Sequence, residues 1–471
     1  MFTLDKPSVR PYPEKCRLPF ILYPPAMWEN SLGSQFASSY LQLDRSAGDY
    51  VVYLSIPFCR VRCKACPYFV QILSEIDSAD YETHYVDALI KDIQRWGSYP
   101  RWRDGSLKAI YIGGGTGSIL KTHNLKRLVD ALFESFPISS RYSLTLEGNA
   151  RDFTPDKIDY VVNSPINRVS LGVQSFDEKV LKIVGSPHAA EASLITIKSL
   201  QERGFNNIQM DMMYNMPGHT LDVWKKDLHI LESLNIKHFT IYLYRIHEGT
   251  PQDNLIKKGE VPPVLDPDSE YVVSMYREAV NYAERLGYKM YMFDHFAQEG
   301  YDNPYNLYTF KEARDALGIG AGAYSFINSY RTGSEKNVDK YIEMVNRGEH
   351  LITSVSNQMS PRVRQERYVI FAFQYFEVEF SAYRQQFGSE LIDDFGDIID
   401  RLVRKGLVAI QSDRIVMTKL GKEWRMNVLL EFVNPDFWGD VGAIKQPNWA
   451  MNVPMVDLVA NKRERWLGDI A

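Results

Sequence analysis

Residues Tyr50 to Cys66 read YVVYLSIPFCRVRCKAC. The β-branched and aromatic run ending at Pro57 predicts a short strand followed by a loop. That loop carries Cys59, Cys63 and Cys66 in a C-x3-C-x2-C spacing, interleaved with Arg60, Arg62 and Lys64. Three thiolates this close, on a loop able to wrap, suit a metal centre. Zinc normally takes a fourth Cys or His from a second paired motif, and none lies nearby. Cys16, in a proline-rich stretch upstream, is a poor candidate. Three ligands match instead a [4Fe–4S] cluster with one iron left open for an exogenous ligand. The interleaved cations would partly offset the negative charge of the cluster and its thiolates.

Outward from this stretch the chain repeats one pattern. Strands are predicted at Tyr50–Ile56, Leu107–Ile112, Tyr142–Glu147, Arg168–Val173, Asn207–Met213 and His238–Tyr244. Helical periodicity fills the intervals, as in Tyr81–Trp96 and Leu221–Leu234, and a longer helix runs over about 268–286. Six strand-then-helix units argue for parallel strands joined by crossover helices. The expected fold is α/β: a partial (β/α)6 barrel of TIM type over residues 49–350, with its active site at the strand C-termini. Gly287–Phe296 looks like one further strand, and the glycine-rich Ala316–Phe326 like a turn. Residues 351–435 read helix, helix, hairpin, helix, a small α+β domain of winged-helix type with a structural or lid role. Residues 1–48 hold Pro7, Pro11, Pro13, Pro19, Pro24 and Pro25 and predict an extended arm with one short helix near Gln35–Gln42. Residues 436–471 form a tail that includes Trp438, Trp449 and Trp466.

Composition bounds the function. With 471 residues, 45% of them hydrophobic and 24% charged, the chain is neither disordered, collagen-like nor a coiled coil. A net charge of −5 supplies no basic field for nucleic acid. The longest apolar-aromatic run, Tyr368–Phe376, is too short for a bilayer span, and Met1–Tyr12 lacks a signal-peptide core. The expected location is the cytoplasm, with no membrane partner.

Further motifs fall at predicted strand ends. Gly113-Gly-Gly-Thr116 follows the second strand, where glycines let the backbone approach a ligand closely. Glu147 ends the third strand, Gln174 sits just past the fourth, and Asp211 lies within the fifth. Polar side chains at barrel strand ends converge on one cavity. Tyr242, Tyr244, Phe293, Phe296, Tyr305, Tyr308 and Tyr324 cluster near strand ends and could line a flat aromatic pocket. His295 and His247 are candidate proton donors or acceptors near neutral pH.

The cysteine spacing after a first barrel strand resembles the signature of radical S-adenosylmethionine (SAM) enzymes. Tyr53-Leu-Ser-Ile-Pro-Phe-Cys59 resembles the opening of the oxygen-independent coproporphyrinogen III oxidase family (HemN and HemW types), with Ser55 where the family His would stand. The resemblance continues through Gly113–Thr116, Leu171-Gly-Val-Gln-Ser-Phe176, Asp211-Met-Met-Tyr-Asn-Met-Pro217, Asp294-His-Phe-Ala297 and Leu317-Gly-Ile-Gly-Ala-Gly-Ala323. It covers roughly residues 50–430. It implies that Cys59, Cys63 and Cys66 ligate a [4Fe–4S] cluster and that one or two SAM molecules bind. The SAM contacts it implies are Gly114, Gly115, Thr116, Glu147, Gln174, Asp211, Met213, Tyr68 and Tyr324. Tyr53, His295 and Tyr308 take the catalytic positions. It further implies reductive cleavage of SAM to a 5′-deoxyadenosyl radical, fed by a reduced flavodoxin or ferredoxin-type donor.

Departures from the family shape the finer expectation. Ser186 stands where the family carries an Arg for a SAM carboxylate, leaving His188 or Lys182 to replace it. Pro67-Tyr68 replaces the Gly-Cys of the oxidases, and Tyr305-Asn-Leu-Tyr308-Thr-Phe310 lacks the His of the heme-chaperone motif. A Gln beside the oxidases' second SAM is replaced by Tyr308. These departures resemble the class C methyltransferase and cyclopropanase branch, which implies methyl or methylene transfer from a second SAM to an unsaturated or heteroaromatic small molecule. Coproporphyrinogen III decarboxylation, anaerobic heme degradation and heme chaperoning are the alternatives.

Overall fold

The computed structural model describes residues 10–16, 23–24, 28–29, 41–64, 66, 70–76, 80–246, 249–267, 269–349, 351–356 and 358–434. The helix expected near Gln35–Gln42, Tyr68, His247 and the tail 436–471 lie outside the described residues.

All six expected strands form: β1 (Asp49–Ile56), β2 (Ser106–Gly114), β3 (Ile138–Asn149), β4 (Arg168–Gln174), β5 (Ile208–Tyr214) and β6 (His238–Leu243). Each pairs in parallel with the next in sequence. The crossovers are helical: α1 (Tyr81–Ser98), α2 (Thr122–Ser135), α3 (Pro155–Asn163), α4 (Glu178–Val184), α5 (Ala190–Glu202) and α6 (Leu221–Ser233). Their apolar stripes close over one face of the sheet, burying Leu89, Leu128, Ile197 and Trp224 against Val52, Ile110, Leu144 and Met210 in one core. Burying each such side chain contributes about 1.5–3 kcal/mol. Beyond β6 follow α7 (Pro251–Lys257) and α8 (Glu270–Arg285).

The sheet is wider than six strands. Gly287–Phe296 supplies two short strands rather than one, β7 (Lys289–Met292) and β8 (His295–Ala297), which extend β6 in antiparallel fashion. Asp294 makes the turn between them at a positive φ of 61°. The segment expected to be a turn at Ala316–Phe326 instead begins with β9 (Asp315–Ile319), parallel to β1. It continues antiparallel into β10 (Tyr324–Ile327), β11 (Tyr330–Ser334) and β12 (Ile352–Val355), with Trp28–Glu29 at the edge. The glycines there serve close packing: a Cβ at Gly318 would collide with the carbonyl oxygen of Tyr324. The barrel is therefore partial, its parallel strands flanked by antiparallel edges on both sides.

A second core belongs to the C-terminal unit. Antiparallel strands β13 (Glu377–Glu379), β14 (Val408–Ile410) and β15 (Arg414–Met417) pack with α9 (Pro361–Ala372), α10 (Leu391–Arg404) and α11 (Arg425–Glu431). Tyr12, Cys16 and Tyr23 from the proline-rich arm join this core. The Tyr12 hydroxyl donates to Glu431 (3.0 Å), and the Asn427 side chain accepts from the Cys16 N–H (2.9 Å). Cys16 is thereby anchored as a core residue of this unit. Across the mouth of the barrel, Arg425 pairs with Asp294 (2.6 Å) and its guanidinium lies over Tyr276 and Phe293. Among the described residues no helix is long and apolar enough to cross a membrane.

Candidate active site

The loop after β1 is fixed before any ligand is considered. Phe58–Cys59 pairs with Gln71–Ile72, and Cys66 N–H closes a turn on the Cys63 carbonyl (3.0 Å). The cations between the cysteines act as tethers. Arg60 pairs with the buried Asp152, Arg62 donates to the Val70 carbonyl (3.2 Å), and the Lys64 ammonium donates to the Ile183 carbonyl (3.1 Å) in the last turn of α4. Burial, together with the neighbouring thiols, pushes Cys63 up to about 11 and Cys59 up to about 12, though Thr116 bonds to Cys59 (3.4 Å) in opposition. Among the described residues no three His, Cys, Asp or Glu side chains converge as on a single metal ion. A cubane cluster asks for something else, thiolates spread over three separate irons yet within reach of each other's charge. The donor set fits a [4Fe–4S] cluster.

Beside this loop the glycine run of β2 forms a shelf. A Cβ at Gly115 would stand 2.5 Å from the Phe58 carbonyl oxygen, and one at Gly113 would collide with the Glu147 carboxylate. Gly114 adopts φ 118°. Only glycine fits between the cysteine strand and the next strand end. Glu147, Gln174, Asp211 and Met213 line the same cavity as Gly114, Gly115, Thr116 and the three cysteines. Gln174 is held at φ 63°, and its side-chain oxygen is buried without a partner among the described residues. Such a strained, unsatisfied residue is a common mark of a ligand site. Asp211 accepts from Ser170 (2.9 Å), Gln209 (2.6 Å) and Thr240 (2.5 Å). These groups suit the amine, carboxylate and hydroxyls of SAM.

Burial first, then the neighbouring Asp211, pushes Glu147 up to about 8, against bonds from the Gly114 backbone and the Tyr111 hydroxyl. Its folded value lies above the ordinary carboxylate range. The stability it contributes is therefore present below about pH 4.5 and lost as pH rises through about 8. Glu147→Gln, which stays neutral, is expected to melt like the parent in acid and at higher temperature than the parent above pH 8. Parallel melting curves for the two proteins across that range would refute the buried-acid reading.

Of the remaining expected residues, His295 lines the cavity. Its Nδ1 meets the Phe293 carbonyl (2.6 Å), which assigns the proton there and leaves Nε2 as an acceptor near Asn306 (3.4 Å). Burial holds it below the ordinary histidine range, so it is neutral. Tyr53 is not on the cavity wall; it stacks on Tyr111 (5.8 Å, 9°), which is. Tyr308 and Tyr324 are not brought to the site. Tyr308 sits in a π-helical turn against Val51, Ala109 and Ala316, at the N-terminal ends of the strands. Tyr324 is half-buried on β10, away from the cavity wall. Of the aromatic set, Tyr242, Tyr244, Phe293 and Phe296 line the cavity, whereas Tyr305 fills the barrel interior beside Tyr53 and Tyr111.

The Ser186 gap is not filled by His188, which is buried behind Asn149 (2.9 Å) and absent from the wall, nor does Lys182 reach it. Arg151, past the end of β3, presents on this wall a guanidinium without an ion-pair partner among the described residues, and is the cation placed for an anionic group. The sequence reading missed Arg151, Tyr111 and the far wall made by Trp424, Arg425 and Met426. Tyr111 carried a signal, two residues before the glycine run. The far wall carried none, since it arrives from the C-terminal unit.

Residues 53–231 match the model of the radical SAM superfamily. The chain is 26% identical over 380 residues to the anaerobilin synthase of Escherichia coli O157:H7, covering 80% of this chain and 82% of that protein. It is 27% identical over 384 residues to the heme chaperone HemW of Lactococcus lactis, covering 82% and 97%. It is 25% identical over 399 residues to the oxygen-independent coproporphyrinogen III oxidase of Salmonella typhimurium, covering 81% and 84%. Among solved structures, coproporphyrinogen III oxidase (HemN) of Escherichia coli superposes with a TM-score of 0.72 at 22% identity, over 84% of this chain and 93% of that one, which establishes the shared fold. Residues 53–231 are thus similar to the radical SAM superfamily, whose members use a [4Fe–4S] cluster and SAM. Within it, its homologues are of the HemN/HemW family.

Proposed function

We propose that the protein is a radical SAM enzyme whose substrate is a tetrapyrrole, held between the barrel strand ends and the C-terminal unit. The observation that carries this is one continuous cavity of about 1890 Å³, reaching from the cysteine loop to Trp424 and Arg425. Pockets for drug-sized ligands measure about 300–1,000 Å³, so there is room for SAM and a macrocycle together. Tyr242, Phe293 and Tyr375 give the wall flat apolar surface, and Lys419 and Lys422 add positive charge suited to acidic substituents. Two relatives are named for heme and coproporphyrinogen III, both tetrapyrroles.

The cluster and SAM supply the one-electron chemistry when bound. The chain's own part is to bind, orient and exclude water. Glu147 and Asp211 offer acceptors for an ammonium and hydroxyls, and Gln174 an unsatisfied carboxamide. His295 holds its proton at Nδ1 and presents a neutral Nε2 as a base toward the cavity. Methyl or methylene transfer draws no support from the relatives, and Tyr308, where a second SAM contact was expected, lies on the far side of the barrel.

Anaerobic turnover of the reconstituted protein with dithionite and SAM, offered heme or coproporphyrinogen III, tests this reading by mass spectrometry. Expected is 5′-deoxyadenosine formed together with loss of one tetrapyrrole. Stoichiometric heme binding with neither tetrapyrrole consumed would favour a chaperone. S-adenosylhomocysteine formed alongside 5′-deoxyadenosine, with both tetrapyrroles intact, would favour methyl transfer. Either result overturns the proposal.

A further inference from the structure

Close to the cysteine loop, three buried polar atoms have no hydrogen-bond partner among the described residues. The Tyr244 hydroxyl and both ends of the Gln252 carboxamide make no hydrogen bond, though Tyr244 is 6% and Gln252 0% exposed. A buried polar group left bare costs about 1–3 kcal/mol, so each calls for a ligand or a reason. Both residues come from the segment after β6. Tyr244 follows that strand directly and bonds through its N–H to the Tyr214 carbonyl (2.9 Å). Gln252 lies in the first turn of α7, and its N–H donates to the Lys64 carbonyl (3.1 Å), between Cys63 and Cys66. The segment is thus bonded directly to the cysteine loop.

The surroundings are dry. Val180, Val184 and Met216 pack around Tyr244, which lines the cavity together with all three cysteines. Its hydroxyl lies near enough to Cys63 for the two to interact, and a phenol keeps its proton near neutral pH and remains a donor. Tyr244 thus brings an unmet hydroxyl to the wall shared with the cysteines, and Gln252 is held through its backbone to the residue that follows Cys63.

We propose that Tyr244 and Gln252 are positioning residues that donate hydrogen bonds to the sulfurs of the iron–sulfur cluster and raise its reduction potential. Donors of this kind stabilise the more negative reduced state, and burial without them does the reverse. The inference rests on the superfamily assignment and is independent of the tetrapyrrole reading.

Tyr244→Phe and Gln252→Met remove the donors while keeping the shape. In the reconstituted full-length protein, each variant is expected to hold the parent's iron and sulfide content. At a fixed poise its reduced-to-oxidised ratio should fall roughly three- to tenfold, tenfold being 59 mV for one electron. In the parent, the reduced cluster should show an exchangeable-proton hyperfine coupling that deuterium exchange removes and that Tyr244→Phe lacks. Unchanged midpoints in both fully loaded variants overturn the proposal. So does a parent without such a coupling, which decides the matter even if a variant loads poorly. A parent that takes up no cluster would overturn the cofactor assignment and this inference together.

Discussion

Cys63→Ala yields a folded protein that assembles no cluster and cleaves no SAM. The fold survives because the loop does not depend on that thiol for its path. It is pinned by the Phe58–Cys59 ladder to Gln71–Ile72, by Lys64 bonded to the Ile183 carbonyl, and by the Gln252 N–H on the Lys64 carbonyl. Removing one sulfur from a partly exposed site costs roughly 1 kcal/mol, well inside the stability of such a domain. Function does depend on it, since three thiolates are the minimum that leaves one iron open for an external ligand. Cys16→Ala is the matched control. That residue lines the cavity too, but it is anchored in the C-terminal core through Asn427. Iron and sulfide content, with 5′-deoxyadenosine by mass spectrometry, separate the two variants. A cluster retained by Cys63→Ala and lost from Cys16→Ala would reassign the ligands.

The control also marks what sequence can and cannot tell. Spacing alone singled out Cys59, Cys63 and Cys66 and set Cys16 aside, because a loop brings near neighbours together whatever the rest of the chain does. The six parallel strands were legible for a similar reason: strands such as YVVYLSI, covered on one face by helices and turned to the barrel interior on the other, are nearly continuous apolar runs. Strand β9 was not. Gly318 and Gly320 make Asp315–Ile319 look like a turn, when the lack of a side chain at 318 is what lets Tyr324 approach. The glycines at 113–115 were read as a ligand shelf, and their more immediate duty is to admit Glu147 and the Phe58 backbone. Tyr308 and Tyr324 were placed in the site from motif position alone, and the turn at Leu307–Lys311 and the edge hairpin carry them elsewhere. Arg425 had no local signal; its meeting with Asp294 is a product of how the C-terminal unit folds back.

The largest stability effect is expected from Arg168→Met, although Arg168 is not on the cavity wall. Arg168 is fully buried on β4 and donates to the Gln209 side-chain oxygen, while the other end of that amide donates to Asp211 (2.6 Å). One carboxamide thus links a buried cation to the carboxylate at the cavity. The same guanidinium meets Nδ1 of His238. Burial, then Arg168, hold that imidazole well below its ordinary range, so it accepts there and turns its other nitrogen to Tyr291 (3.2 Å). Removing the cation leaves the Gln209 oxygen and His238 Nδ1 without their buried donor, at about 1–3 kcal/mol for each group, and takes from Asp211 the positive charge relayed through Gln209. Arg168→Met is therefore expected to melt many degrees below the parent and to bind SAM more weakly, because Asp211 loses its fixed orientation. Asp211→Asn in the same background should recover part of the loss, since a neutral amide needs no countercharge. The double-mutant cycle is expected to show a coupling of about 1–3 kcal/mol. Strictly additive losses in that cycle would mean that Gln209 does not connect the two charges, and that Asp211 is held by Ser170 and Thr240 alone.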